Sequence, residues 1–232
     1  MKRDAGVELL DGALNDPAVL RDNLRDMGRA NRLTGGTVLS LRAIAALAPR
    51  DGALSILDVG TGGADIPVAL LADPRFRSRV TVIATDSRPE VLDAARAARP
   101  GLDRINGLRL EVADGRALPY ADGTFDVAHA SLVLHHVEPT DAARFLRELA
   151  RVARRGVVVN DLSRRPITVL GAWLLSRACT HNRYSRHDAP LSARRAYTFD
   201  EAMTFVLAAG LRPVYSTEFV FGHRWAIAAV RR

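Results

Sequence analysis

Among 232 residues there is one cysteine, Cys179, and one lysine, Lys2. The lone cysteine excludes an intrachain disulfide and a cysteine zinc cluster. Aromatic side chains make up only 6% of the chain, few for a surface that stacks nucleic-acid bases, and no separate RNA-binding module is visible. No apolar run reaches the roughly 20 residues needed to span a bilayer. The stretch from Met1 to Asp26 is studded with acids and bases and holds no signal-peptide core. No internal repeat or low-complexity linker marks a boundary. With 48% hydrophobic and 25% charged residues, these absences predict one globular domain over residues 1–232, cytoplasmic, without a membrane span, as a monomer or homodimer.

What the chain has in excess is arginine, and it is unevenly placed. The net charge is +7, yet residues 1–143 carry 17 basic and 20 acidic groups, while residues 144–232 carry 16 arginines against 6 acids. A solvated face is the first reading of that excess. The second is a cationic surface for an acidic partner, of which an acidic carrier protein is the preferred example and nucleic acid the disfavoured one.

Along the chain, short apolar runs alternate with helical periodicity. Pro17 to Ala48 is predicted helical with a break at Thr34-Gly35-Gly36, so residues 1–50 are expected to form a helical cap. Strands are predicted at Leu54–Val59, Val80–Thr85, Leu108–Val112, Phe125–Ala130 and Gly156–Asn160. Helices are predicted at Ala64–Ala72, Pro89–Ala98 and Thr140–Arg154, with Asp86 or Ser87 placed to cap the second. This alternation argues for a parallel sheet with helices on both faces. An insert over residues 163–197 follows, with an apolar helix (Ile167–Ala178) and an Arg/His-rich loop. A helix over Asp200–Ala209 precedes two strands, Leu211–Thr217 and Phe219–Ala229, whose short link forces antiparallel pairing. The expected fold is α/β and Rossmann-like, a mostly parallel seven-stranded sheet closed by a C-terminal antiparallel hairpin.

The sequence I56-L57-D58-V59-G60-T61-G62-G63-A64-D65 joins the first strand to the first helix. Gly60 and Gly62 permit a tight turn and a close ligand approach, at the sheet edge where open α/β folds bind ligands. A dinucleotide fingerprint needs a third small residue at position 65. Asp65 stands there instead, and a carboxylate at that helix start repels a diphosphate and suits a cationic ligand. Asp86 ends the second strand, where a carboxylate can accept both hydroxyls of a ribose. Asp114-Gly115 follows the third, where it can meet an adenine amino group and ring.

On these residues the chain resembles the class I S-adenosylmethionine-dependent methyltransferases, especially their ubiquinone/menaquinone-biosynthesis-like branch, over roughly residues 54–160. LDVGTGGAD resembles the glycine-rich first motif, ATDSRPEVLDAAR the ribose motif, and VADGRALPYADGTFDVAHASLVLHHV the adenine motif with the fourth strand and its loop. The resemblance implies S-adenosylmethionine as cofactor and S-adenosylhomocysteine as product. It implies backbone contacts from Gly60 and Gly62 to the methionine moiety, and Asp58 and Asp65 near its amino group. It also implies ribose binding by Asp86 with Ser87 beside it, adenine contacts by Asp114 and Gly115, and Ser131 beside the sulfonium. Asn31, Arg32 and Gly35 would cover the site, with Arg32 the candidate partner of the methionine carboxylate.

The methyl acceptor is expected to be a small molecule, an aromatic or polyketide-type phenol or quinol methylated on O or C. His135 and His136 follow the fourth strand and Asp161 ends the fifth, all at the ligand edge. Neighbours in an extended segment point opposite ways, so only one histidine is expected to face the acceptor, His136 being preferred as base. For the same reason, and with no H-E-x-x-H motif, no catalytic metal is expected. Asp161 is placed to orient a histidine, to accept from the substrate, or to cap the helix after Pro166. The apolar helix with Trp173 and the loop with His181, Tyr184 and His187 are expected to form the acceptor lid. The competing readings are an RNA methyltransferase using the arginine-rich half, a non-catalytic cofactor-binding or scaffold protein, and an NAD-dependent oxidoreductase, which Asp65 and Asp114-Gly115 argue against.

Overall fold

A computed structural model describes residues 1–14 and 16–232. Strands β1 (Leu54–Val59), β2 (Val80–Asp86), β3 (Leu108–Val112), β4 (Phe125–Ser131) and β5 (Ala153–Leu162) are parallel, and β6 (Leu211–Glu218) and β7 (Arg224–Arg231) complete one seven-stranded sheet in the order β3-β2-β1-β4-β5-β7-β6. Only β7 runs antiparallel, to β5 on one side and β6 on the other. The predicted sheet and its terminal hairpin are therefore observed. The strand order reverses between β1 and β4, and ligands bind at the carboxyl ends beside such a switch point.

Helices cover both faces: α1 (Pro17–Leu33), α2 (Gly36–Leu47), α3 (Asp65–Ala72), α4 (Pro89–Ala98), α5 (Pro139–Val152), α6 (Pro166–Cys179), α7 (Arg183–Arg195) and α8 (Phe199–Ala208). With both faces covered, the β1 run is apolar almost throughout, and its successive side chains enter different cores. Ile56 belongs to the core cluster that holds Leu39, Ile44, Leu70 and Val82, whereas Leu57 belongs to the one that holds Phe145, Leu149 and Trp225. The helix α5 buries Ala142, Phe145, Leu146 and Leu149, one stripe of a 3.6-residue period.

Four local expectations are corrected. The Arg/His-rich loop is largely the helix α7. Asn182 caps it by accepting from the backbone N–H groups of Tyr184 and Ser185, while the internal Pro190 and high polarity hid its periodicity. The strand β5 begins at Ala153, paired with Phe125 ahead of an irregularity, and not at Gly156. The last strand begins at Arg224 because Phe221 and Gly222 take left-handed backbone (φ 64° and 63°) that an extended run cannot hold. The N-cap of α4 is Arg88, with no side-chain cap from either Ser87 or Asp86. Among the described residues no helix is long and apolar enough to cross a membrane.

Candidate active site

At the carboxyl end of β1 the chain turns within five residues into α3. Gly60 (φ 68°) and Gly62 (φ 51°) make that turn in left-handed backbone, and a Cβ on Gly60 would lie 2.5 Å from Val133 Cγ2. A small cavity of about 40 Å³ sits in the turn, lined by Asp58, Gly60, Thr61, Asp65 and Ser131, with Asn31 of α1 over it. Thr61 Oγ1 and Ser131 Oγ are buried there without a hydrogen-bond partner. Each such orphan costs about 1–3 kcal/mol, so the cavity is built for a polar occupant. Burial pushes the Asp65 carboxyl above the usual carboxylate range, against a hydrogen bond from Asn31. Two carboxylates and two unpaired hydroxyls suit the ammonium and sulfonium end of S-adenosylmethionine.

A polar circuit underlies this cavity. Asp58 Oδ1 lies 2.5 Å from His129 Nδ1, and His129 Nε2 lies 2.8 Å from Ser40 Oγ. The Asp58 carboxylate only accepts, so an imidazole N–H is on Nδ1, and Asn160 Nδ2 donates to Ser40 Oγ at 2.8 Å. Arg224 donates to Asn160 Oδ1 at 2.9 Å and to Asn31 Oδ1 at 2.6 Å, and Asn31 Nδ2 donates to Asp65 Oδ2 at 3.0 Å. The circuit thus runs from Asp58 back to Asp65. Burial lowers the Arg224 guanidinium to about 10, while Asp161 and Asp65 oppose that shift. Asn160 stands at the ligand edge where the end of the fifth strand was expected, whereas His129, Ser40 and Arg224 escaped the sequence reading. The available signal was polar side chains inside the apolar strands FDVAHAS and RWAIAAV.

Asp86 stands beside the glycine turn. Its Oδ2 accepts from the Gly62 N–H and its Oδ1 from the Arg88 N–H, each at 3.2 Å. Burial raises its carboxyl, opposed by those backbone donors. Ser87 is exposed next to it. The Asp114 carboxylate is ion-paired with Arg116 at 2.9 Å, which holds its carboxyl below the usual range. Gly115 is needed for close packing, since a Cβ there would lie 2.6 Å from Val59 Cγ1. Arg32 is exposed and lines a second, larger cavity and not the small one. The expectation that Arg32 holds the methionine carboxylate is corrected accordingly, because the outward face of α1 carries it away from the turn.

That second cavity holds about 850 Å³ and shares Met27, Asn31 and Leu132 with the first. Its walls are mostly apolar. The helix α6 contributes Thr168, Gly171, Ala172, Leu175, Ser176 and Cys179, a single helical stripe. Trp173 lies on the opposite face, 44% exposed, with Arg177 stacked on its ring at 4.7 Å. His181 and His187 are exposed, and Tyr184 is buried in the packing of α7. None of these four is among the residues that line the cavity, although α6 and α7, which carry them, both border it. From α7 it is Ser185, Asp188, Ala189 and Ser192 that reach the cavity.

His135 and His136 both line the cavity. The expectation of divergence fails because residues Leu134–His136 form a 3-10 turn and not extended strand, and the two rings lie 4.2 Å apart at 36°. Asp161 is buried at the end of β5. It accepts from the His135 backbone N–H and lies 2.8 Å from His135 Nδ1, so it orients a histidine and does not cap α6, whose N-cap is Arg165. His135 and backbone donors hold the Asp161 carboxyl low despite its burial. Opposite the two rings is Glu8, which burial raises to about 7 against the pull of His136 and Arg195. Glu8 carried no signal in the sequence, because nothing local ties residue 8 to residue 135.

Residues 57–159 match the methyltransferase domain family. A ubiquinone/menaquinone biosynthesis C-methyltransferase of a Geobacter species is 31% identical over 115 residues, 49% of this chain and 47% of the relative. A demethylmenaquinone methyltransferase of Roseiflexus castenholzii is 31% identical over 170 residues, 71% of this chain and 63% of the relative. The chain belongs to the class I S-adenosylmethionine-dependent methyltransferase family. It spans 47% and 63% of the length of these two curated relatives. A methyltransferase from Aquifex aeolicus has the same fold (TM-score 0.64, 18% identity, 92% of this chain and 97% of that one). So does a mitomycin 7-O-methyltransferase (TM-score 0.69, 22% identity, 98% and 62%).

Proposed function

We propose that this methyltransferase moves the methyl group of S-adenosylmethionine to a small aromatic or polyketide-type phenol or quinol held in the large cavity. The observation that carries this reading is the shared wall. The cavity suited to the cationic end of the cofactor and the 850 Å³ apolar cavity both use Met27, Asn31 and Leu132. Relatives named for quinone methylation and a fold neighbour named for O-methylation of mitomycin support an acceptor of that class.

The bound cofactor supplies a methyl group on a positively charged sulfur. This chain's residues supply position. Asp58 and Asp65 would hold the amino group, Asp86 the ribose hydroxyls, and the Asp114–Gly115 turn the adenine, with Arg116 giving up part of its hold on Asp114. In-line placement of acceptor and methyl group at about 3–3.5 Å can lower the barrier by ~7–11 kcal/mol at best. The His135–His136 end of the cavity is where an acceptor hydroxyl would lose its proton, worth roughly 10²–10⁴-fold. The free energy of binding in a mostly apolar chamber selects a lipophilic ring.

RNA methylation is the weaker reading. Arg151 and Arg154 are paired with Glu148 and Asp126, and Arg155 and Arg231 donate to backbone carbonyls of Leu47 and Ala150. Arg154 and Arg155 also lie on β5 and not on the α5 face with Arg147 and Arg151, so no four-arginine helical patch forms. Incubating the full chain with the cofactor and a panel of phenols, quinols and bulk tRNA, with mass spectrometry of each acceptor, tests the proposal. A monomethylated phenol or quinol is expected. Methylated tRNA with unmodified small molecules would overturn it.

A further inference from the structure

We infer that Glu8, His135 and His136 form a binding site for one divalent transition-metal ion in the wall of the large cavity. The three side chains offer ligand atoms that all lie within 4.8 Å of one another. His135 Nε2 is 3.7 Å from Glu8 Oε1, and His136 Nε2 is 3.9 Å from Glu8 Oε2. Both distances are too long for a hydrogen bond. They match two ligands on one ion, since bonds of about 2.0–2.2 Å meeting at an obtuse angle span that gap.

The tautomers point the same way. His135 Nδ1 lies 2.8 Å from Asp161 Oδ1, and His136 Nδ1 lies 3.0 Å from Asp11 Oδ1. An ionised carboxylate only accepts, so each Nδ1 carries its proton toward its own carboxylate, and Nε2 is the ring nitrogen left facing Glu8. A carboxylate behind each imidazole is the arrangement that orients metal-ligating histidines. Independently, Glu8 Oε1 is buried with no hydrogen-bond partner, in a residue only 3% exposed. The nearest guanidinium, Arg195, is 3.5 Å from that oxygen and is hydrogen-bonded to Asp11 at 2.8 Å.

The site is also held in place. The backbone N–H groups of Leu9 and Leu10 donate to the Asp188 carboxylate at 2.8 and 3.0 Å, which fastens the segment carrying Glu8 to α7. Arg3 donates to the His135 carbonyl at 3.0 Å and fastens the same segment to the histidine turn. Two imidazoles and one carboxylate suit zinc, cobalt or iron(II) and not magnesium or calcium, which prefer oxygen. Three protein ligands leave coordination positions for an oxygen from the cavity. That this oxygen belongs to the acceptor rests on the proposed function, whereas the site itself does not. The expectation of no metal assumed diverging histidines, and the 3-10 turn removes that premise.

The test uses the untagged full chain, stripped with chelator and titrated with Co²⁺ and Zn²⁺ by calorimetry and visible absorption. One ion per chain is expected, with Co²⁺ d–d bands displaced by Zn²⁺ and a rise in Tm on adding Zn²⁺. Glu8→Gln and His136→Ala should each weaken binding on the order of 10–100-fold, while His181→Ala and His187→Ala leave it unchanged. Circular dichroism of Glu8→Gln checks its fold, and S-adenosylmethionine titrations on the same samples report separately on the cofactor site. Absence of stoichiometric binding, or binding lost in the His181 variant and kept in the Glu8 and His136 variants, would overturn the inference.

Discussion

Arg224, in the last strand, donates a 2.6 Å hydrogen bond to Asn31, in the first helix, 193 residues away. Asn31 in turn holds Asp65. The carboxylate that faces the cofactor cavity is therefore fixed by the two ends of the chain. Arg224 is 1% exposed and its neighbours are polar, so its removal leaves buried acceptors and the Asp65 charge without compensation. Arg224→Met is expected to destabilise the protein by about 3–5 kcal/mol and to weaken cofactor binding. Urea unfolding and calorimetry measure the two effects.

Cofactor affinity should fall as pH is lowered from neutrality, beginning at a higher pH than exposed carboxylates would set. Burial raises the carboxyls of Asp65 and Asp86, so both take up protons at a higher pH than exposed acids, and the protonated forms do not attract a cation. The sign for stability is opposite. A raised carboxyl pKa means the folded state binds the proton more readily, so folding is favoured at low pH and loses that advantage as pH rises through the folded pKa. Asp65→Asn should therefore flatten the pH dependence of S-adenosylmethionine binding while raising Tm at neutral pH. A steeper pH dependence of binding in the variant would refute this.

Gly60→Ala places a Cβ 2.5 Å from Val133 Cγ2 in backbone with φ 68°. The strained backbone alone costs on the order of 1–3 kcal/mol, and the turn must open to relieve the clash. A lower urea midpoint and loss of S-adenosylmethionine binding are expected together.

Gly171 lines the large cavity, and a Cβ built there meets nothing within 4 Å. Gly171→Leu should fill acceptor space without harming the fold and should gain roughly 0.8–1 kcal/mol of helix propensity. KM for a bulky phenol should rise severalfold with cofactor affinity unchanged. Trp173→Ala, on the outer face of the same helix, should leave KM as it is; a reversed pattern in steady-state kinetics would place the acceptor elsewhere.

Asp161→Asn keeps the shape of the side chain but cannot accept from both the His135 backbone and its ring as well as from Leu162. The His135 tautomer loses its anchor. Methyl transfer to a phenol is expected to drop by ~10–100-fold and its pH profile to shift, with S-adenosylmethionine affinity retained. Rates measured across pH with titrations of the cofactor separate this from a loss of folding.

The parts of this molecule legible in the sequence are those governed by neighbours along the chain. The turn from Asp58 to Asp65 was readable because glycines and an acid follow a short apolar run, and Asp86 because it ends the next strand. The last helix was readable from its end, where Gly210 follows it, while the capping box of Thr198 and Glu201 at its start is seen only in the structure. The helix α7 was not, since Pro190 and its charged residues mask a stripe that only α1 and α6 make meaningful. The two histidines were misjudged because their spacing was read as strand. Glu8, Ser40 and Arg224 were invisible for a different reason: each meets its partner only after the sheet has closed.

The common wall of the two chambers has a thermodynamic consequence. Asn31 borders both, and it is clamped between Arg224 and Asp65. Whatever factor one ligand applies to the other's dissociation constant must be returned in equal measure. A preference for loading one molecule first would then be written into the orientation of a single amide.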